Sequence, residues 1–100
     1  MIEVLQTEAF SGWLAKLRDA NARIKILGRI KRFAHGNFGD AEPVGNGVSE
    51  MRVHVGPGYR VYFVQRGPML VVLLCGGDKA SQGKDILRAK AMAALLEDNL

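Results

Sequence analysis

The hydrophobic period of this chain changes once, from helical to alternating, and that switch constrains its fold more than any other feature. Phe10, Trp13, Leu14 and Leu17 fall at i, i+3, i+4 and i+7, the spacing of one buried helical face. Ile26, Leu27, Ile30, Phe33 and Ala34 form the stripe of a second helix. From Val48 to Val55 the period is two: Ser49, Met51, Val53 and Val55 alternate with Glu50, Arg52 and His54. Gly56-Pro57-Gly58 marks a turn, and Tyr59 to Gln65 reads as the returning strand. After a second turn at Gly67-Pro68, Met69 to Cys75 is a continuous apolar run, as in a strand covered on both faces.

The punctuation agrees with these spans. Ile2 to Gln6 is a short β-prone segment, with Thr7 after it as a helix N-cap. Asp19 is placed to cap the second helix and Gly36 to end it. Asn37 to Gly47 reads as a loop, and Gly76-Gly77-Asp78-Lys79 as the exit from a buried strand. Ser81 then caps a last helix carrying Ile86, Leu87, Met92, Leu95 and Leu96. The order strand, helix, helix, three-stranded meander, helix predicts an α+β two-layer domain spanning 1–100, with amphipathic helices burying their stripes on the meander.

One hundred residues suffice for one core and not for two. A composition 48% hydrophobic and 24% charged is that of a folded chain. The formal charge is +4, and its distribution says more than its size. Seven of the 14 basic residues (Lys16, Arg18, Arg23, Lys25, Arg29, Lys31, Arg32) lie in one stretch whose only acid is Asp19, a pattern suited to an acidic partner. A single cysteine, Cys75, forms no internal disulfide and reads as a buried thiol. With no leader-like start and no apolar stretch near 18 residues, the expected location is the cytosol, without membrane contact.

Few classes of chemistry are supported by spacing. His35 and His54 are the only histidines, and no pair of residues has metal-ligand spacing. No nucleophile-elbow motif accompanies the serines, and no glycine-rich stretch has phosphate-loop spacing. The hairpin is more informative. Glu50, Arg52 and His54 share a face, and Arg60 and Tyr62 join it across the turn in the register that buries Val61 and Phe63. Guanidinium forks match phosphate oxygens, a phenol ring stacks on unpaired bases, and an imidazole moves protons near neutral pH. By spacing alone a solvated sheet face is the preferred alternative. Lys25, Arg29 and Arg32 line the exposed side of the second helix, where they would track a nucleic-acid backbone, clasp an acidic partner, or simply face water.

The series Phe10…Trp13-Leu14…Leu17-Arg18-Asp19, Gly36-Asn37-Phe38-Gly39-Asp40, Gly56-Pro57-Gly58-Tyr59-Arg60-Val61-Tyr62-Phe63 and Gly76-Gly77-Asp78-Lys79 resembles the phage-derived addiction-module killer proteins, grouped with HigB-like toxins in the RelE/ParE superfamily. The resemblance runs from about residue 7 to residue 92 and is most specific in the GPGYRVYF and GGDK blocks. It implies a helical hairpin on a mainly antiparallel sheet, and a toxin restrained by a cognate antitoxin, often of helix-turn-helix type. The RelE branch cleaves mRNA on the ribosome without metal or cofactor; the ParE branch poisons DNA gyrase.

Carried over residue by residue, the resemblance gives Arg60 the place of the arginine at the scissile phosphate. Arg52 and His54 take the place of two basic residues on the preceding strand, and Lys79 that of a phosphate-binding cation. Arg60, Arg52 and His54 are therefore the expected catalytic residues, His54 as general acid or base. Lys79, Tyr62, Lys25, Arg29 and Arg32 are the expected RNA-binding ones. The tyrosine that some RelE enzymes carry in the last helix has no counterpart here. The leading expectation is a ribosome-dependent mRNA endonuclease; the alternatives are a gyrase-binding toxin and an interaction module without activity.

Overall fold

Thr7 closes the first strand and opens the first helix with one hydroxyl. Its Oγ1 accepts from the Phe10 backbone N–H at 3.1 Å and donates to the Leu74 carbonyl at 2.6 Å, tying the helix start to the sheet. In the computed structural model, which describes residues 1–99 and side chains as far as residue 96, the elements are β1 (Glu3–Gln6), α1 (Glu8–Lys16), α2 (Ala20–Phe33), β2 (Ala41–Gly45), β3 (Val48–Val53), β4 (Tyr59–Arg66), β5 (Leu70–Asp78) and α3 (Gln82–Asn99). Asp19 caps α2 as expected, its Oδ1 accepting from Ala22 N–H at 3.2 Å.

The strands form one sheet in the order β1-β5-β4-β3-β2. β1 runs parallel to β5, and the remaining pairs are antiparallel. The class is therefore α+β, and it differs from the sequence reading in several places. The segment 37–47 contains a strand: Ala41–Gly45 pairs with β3 through a bulge at Val44 and forms the edge of the sheet. Pro43 sits there because an edge strand has a side that needs no N–H. The layers also number more than two. α1 and α2 pack on one face, with Phe10, Leu14, Ile26, Ile30 and Phe33 against Met51, Val53, Val61, Phe63, Val71 and Leu73. α3 covers the other, with Ala89 and Ala93 against Val48, Tyr62, Val64, Val72, Leu74 and Cys75.

β5 explains why its sequence has no alternation: Val71 to Gly77 are buried, because helices lie over both sides. The strand extends through the glycine pair to Asp78 instead of ending at Cys75. Each glycine is required by a different face. A Cβ on Gly76 would fall inside the Trp13 ring of α1, and one on Gly77 would collide with the Asp85 carboxylate of α3. A register step opposite Tyr62 and Phe63 leaves Leu74 as an extra residue, so Leu74 and Cys75 both join the α3 side.

Helical faces are narrower than the sequence stripes. Leu27 on α2 is 40% exposed, and Leu87 and Leu95 on α3 are more exposed still. Alanines take the buried positions of α3, which lets its axis approach the sheet closely. No helix among the described residues is long and apolar enough to cross a membrane.

Candidate functional site

The β3–β4 register is the one that places the expected polar residues together. Glu50 lies opposite Tyr62 and Arg52 opposite Arg60, all on the α3 side of the sheet. That face is not open. The first turn of α3 lies over it, and Glu50 and Tyr62 have no exposed surface.

Four side chains converge on the buried Glu50 carboxylate. Oε1 accepts from Arg52 Nε at 3.1 Å; Oε2 accepts from the Tyr62 hydroxyl at 3.0 Å and from Gln82 Nε2 at 2.9 Å, with Arg60 Nε 3.6 Å away. Burial pushes the Tyr62 phenol well above its ordinary pKa, and the neighbouring Glu50 carboxylate adds to the rise. Tyr62 is therefore a core hydrogen-bond donor in this structure, not a stacking surface for a base. Arg60 is nearly buried too: its Nη1 donates to the Gly58 carbonyl at 3.3 Å, and its buried Nε has no hydrogen-bond partner among the described residues.

Arg52 is surrounded by acid. Besides Glu50 it reaches Glu42 at 3.1 Å and Asp40 at 3.9 Å, the first on β2 and the second just before it. The hydrogen bond to Glu42, then that to Glu50, hold its pKa above the ordinary guanidinium value. Three carboxylates (40, 42, 50) against two guanidiniums (52, 60) leave this cluster one charge negative. A phosphate approaching it meets an excess of like charge. Glu42 on β2 and Asp40 just before it both lie in the segment 37–47 that the sequence reads as loop.

His54 leaves this cluster and joins another. It follows the end of β3, 73% exposed, with Nε2 at 2.6 Å from Asp40 Oδ2. That hydrogen bond, ahead of opposing desolvation, lowers the pKa of Asp40, and the charges of His54, Arg52 and Arg29 act in the same direction. Together with Lys25, Gly28, Arg29, Arg32 and Val53, His54 lines an open groove of about 380 Å³. Burial of Ile26, Ile30 and Phe33 turns the flank bearing residues 25, 29 and 32 toward the end of β3. Arg29 anchors the groove floor: its Nη1 donates to the Arg52 carbonyl at 3.0 Å, and its buried Nη2 has no hydrogen-bond partner among the described residues. Gly39, with φ of 63°, makes room for that guanidinium, since a Cβ there would overlap it.

The expected site residues thus divide into two groups. Arg52, Arg60 and Tyr62 meet around a buried carboxylate, while His54 meets Lys25, Arg29 and Arg32 in a cationic groove. Lys79 stands exposed past β5, bordering Gly58 beside Arg60 and outside the groove lining. Asp40 and Glu42 were not anticipated. A single sequence carries no signal for them, because their roles come from the pairing of β2 with β3. Cys75 is buried, its thiol pushed up to about 11 by desolvation. No three His, Cys, Asp or Glu side chains among the described residues come together as a metal-ligand set.

No family model matches the chain. An uncharacterized protein of Haemophilus influenzae is 49% identical over 92 residues, covering 92% of this chain and 93% of its own length. Identity at that level over nearly the full length of both proteins means one shared fold, and this chain belongs to the same family as that Haemophilus influenzae protein.

Proposed function

We propose that this chain is the toxin of a type II toxin–antitoxin pair, of the RelE/ParE kind, and that it cleaves mRNA on the translating ribosome without a metal. The observation that carries the reading is the groove in which Lys25, Arg29 and Arg32 flank His54, itself held by Asp40. Three cations beside a partnered imidazole supply what phosphodiester transesterification needs: phosphate binding, neutralisation of the charge gathering on the phosphorane, and a proton acceptor. The GPGYRVYF and GGDK resemblance, and a helical hairpin on one face of a mainly antiparallel sheet, support the superfamily.

The step is attack of a ribose 2′-OH on the adjacent phosphorus. His54 takes the hydroxyl proton as the O2′–P bond forms. The P–O5′ bond breaks, and the leaving oxygen takes a proton from solvent. The products are a 2′,3′-cyclic phosphate and a 5′-hydroxyl. Arg52 and Arg60 act in this reading through the Glu50 network, which fixes the strands from which His54 projects. The implied partners are the ribosome with its mRNA and a cognate antitoxin, and the setting is the cytoplasm.

Reconstituted translation with the purified protein tests the proposal. Codon-positioned cleavage that requires ribosomes is expected, and substitution of Lys25 and Arg32 by alanine is expected to weaken it. The ParE-like reading, a toxin that binds DNA gyrase without chemistry, is favoured by one observation: Arg52 and Arg60 are engaged by carboxylates. Stalled gyrase with uncut mRNA would select it.

A further inference from the structure

We infer that Asp40 is a positioning residue for His54, fixing which ring nitrogen carries the proton and leaving Nδ1 as the acceptor; this rests on the reading of the groove as an RNA-cleaving site. The geometry is specific. A carboxylate accepts and does not donate when ionised, so the 2.6 Å contact between Asp40 Oδ2 and His54 Nε2 requires the proton on Nε2. Nδ1 makes no hydrogen bond among the described residues, so its lone pair is available to a 2′-OH.

Asp40 is itself held in place. Its backbone carbonyl accepts from Arg52 N–H at 2.9 Å, and its Oδ1 lies 3.9 Å from Arg52 Nη1. The loop before it is shaped by Asn37, whose Oδ1 accepts from Gly39 N–H at 3.1 Å. The ionisable groups around the imidazole are Asp40 in direct contact and Lys25, Arg29 and Arg32 from α2, with Arg52 behind Asp40. Asp40 is thus the acid that reaches the imidazole in a groove lined by three cations, with one carboxylate oxygen toward the ring and the other toward Arg52.

In the reaction, Nδ1 receives the 2′-OH proton while Nε2–H stays on Asp40. The imidazolium so formed is held by the carboxylate until Nδ1 returns its proton to water. Asp40 makes no contact with substrate. Its contribution is orientation and charge balance, as for a third group behind an acid–base pair.

Asp40→Asn retains the backbone bond to Arg52 and the size of the side chain while removing the charge. Two measurements are made on it. The first is the ¹⁵N spectrum of the imidazole of neutral His54, with His35 as the internal standard. The wild type is expected to be predominantly the Nε2–H tautomer and Asp40→Asn to lose that bias. The second is cleavage of ribosome-bound mRNA, where kcat is expected to fall about 10–100-fold with KM unchanged, for a general base that loses its orientation. Asp40→Glu is expected to recover part of the loss.

An unchanged tautomer balance in Asp40→Asn overturns the inference whatever the turnover, and so does full kcat. If His54→Ala cleaves as well as wild type, the reading of the groove falls and the role of Asp40 in turnover falls with it. If His54→Ala is inactive while Asp40→Asn is indistinguishable from wild type, only the role of Asp40 is lost.

Discussion

Glu50 has no exposed surface, yet it is ionisable, and its position holds only because Arg52, Arg60, Tyr62 and Gln82 all point at it. Removing one partner of a buried ion pair costs about 3–5 kcal/mol. Glu50→Ala is expected near the lower figure, because Arg52 keeps Glu42. For a domain of this size that is a fall in Tm of more than 10 °C, taking roughly 4–8 °C per kcal/mol. Thermal unfolding followed by circular dichroism checks it.

Tyr62 gives a pH dependence of definite sign. Its folded pKa is raised, so the folded chain keeps a phenol proton that the unfolded chain releases near pH 10. The stabilisation is complete below that pH and is lost as pH rises above it. Urea midpoints are expected to decline above about pH 10 in the wild type and to decline less in Tyr62→Phe. The buried Cys75 thiol, pushed up to about 11, is expected to resist alkylation at pH 7–8 until urea unfolds the chain.

Among the elements, β2 and β5 separate what the sequence states from what pairing creates. α1 and α2 were legible because each repeats a 3.6-residue stripe and carries its cap: Thr7 and Asp19 bond where the sequence reading puts them. The Ser81 hydroxyl before α3 bonds Asp78 and Asp85 instead of a helix N–H. β3 and β4 were legible from alternation and the GPG turn. β2 was not, because Ala-Glu-Pro-Val-Gly is short, lies at the sheet edge and has turn formers around it. Its cost to the reading of the site was large, since Asp40 and Glu42 convert Arg52 from an apparent phosphate ligand into the centre of an acidic cluster. The glycine pair was visible as a motif but not as strand. Its reason lies in Trp13 and Asp85, which come from helices on opposite faces of the sheet. Gly76→Ala is expected to destabilise by about 1–3 kcal/mol through overpacking against Trp13, measured as a lower urea midpoint.

Over the whole molecule, charge is sorted. Lys25, Arg29 and Arg32 face one groove with His54, and the acids 40, 42 and 50 gather around Arg52 on the neighbouring side of β3. The distribution of charge along the chain points to α2, but nothing in one sequence says that α2 stands beside the end of β3. Lys25 and Arg32 are exposed, so their removal tests the groove without touching the core. Each alanine substitution is expected to weaken RNA association and to reduce the dependence of log K on log salt by about 0.7–1, as for a lost phosphate contact.

Transcript end-mapping after induction tests most directly the proposal that His54 in this groove cuts RNA. Wild-type protein is expected to generate new, codon-positioned mRNA 5′ ends within minutes, and His54→Ala, expressed and folded to the same level, none. Identical cleavage maps from the two proteins, or growth arrest by the wild type with intact mRNA, would contradict the account.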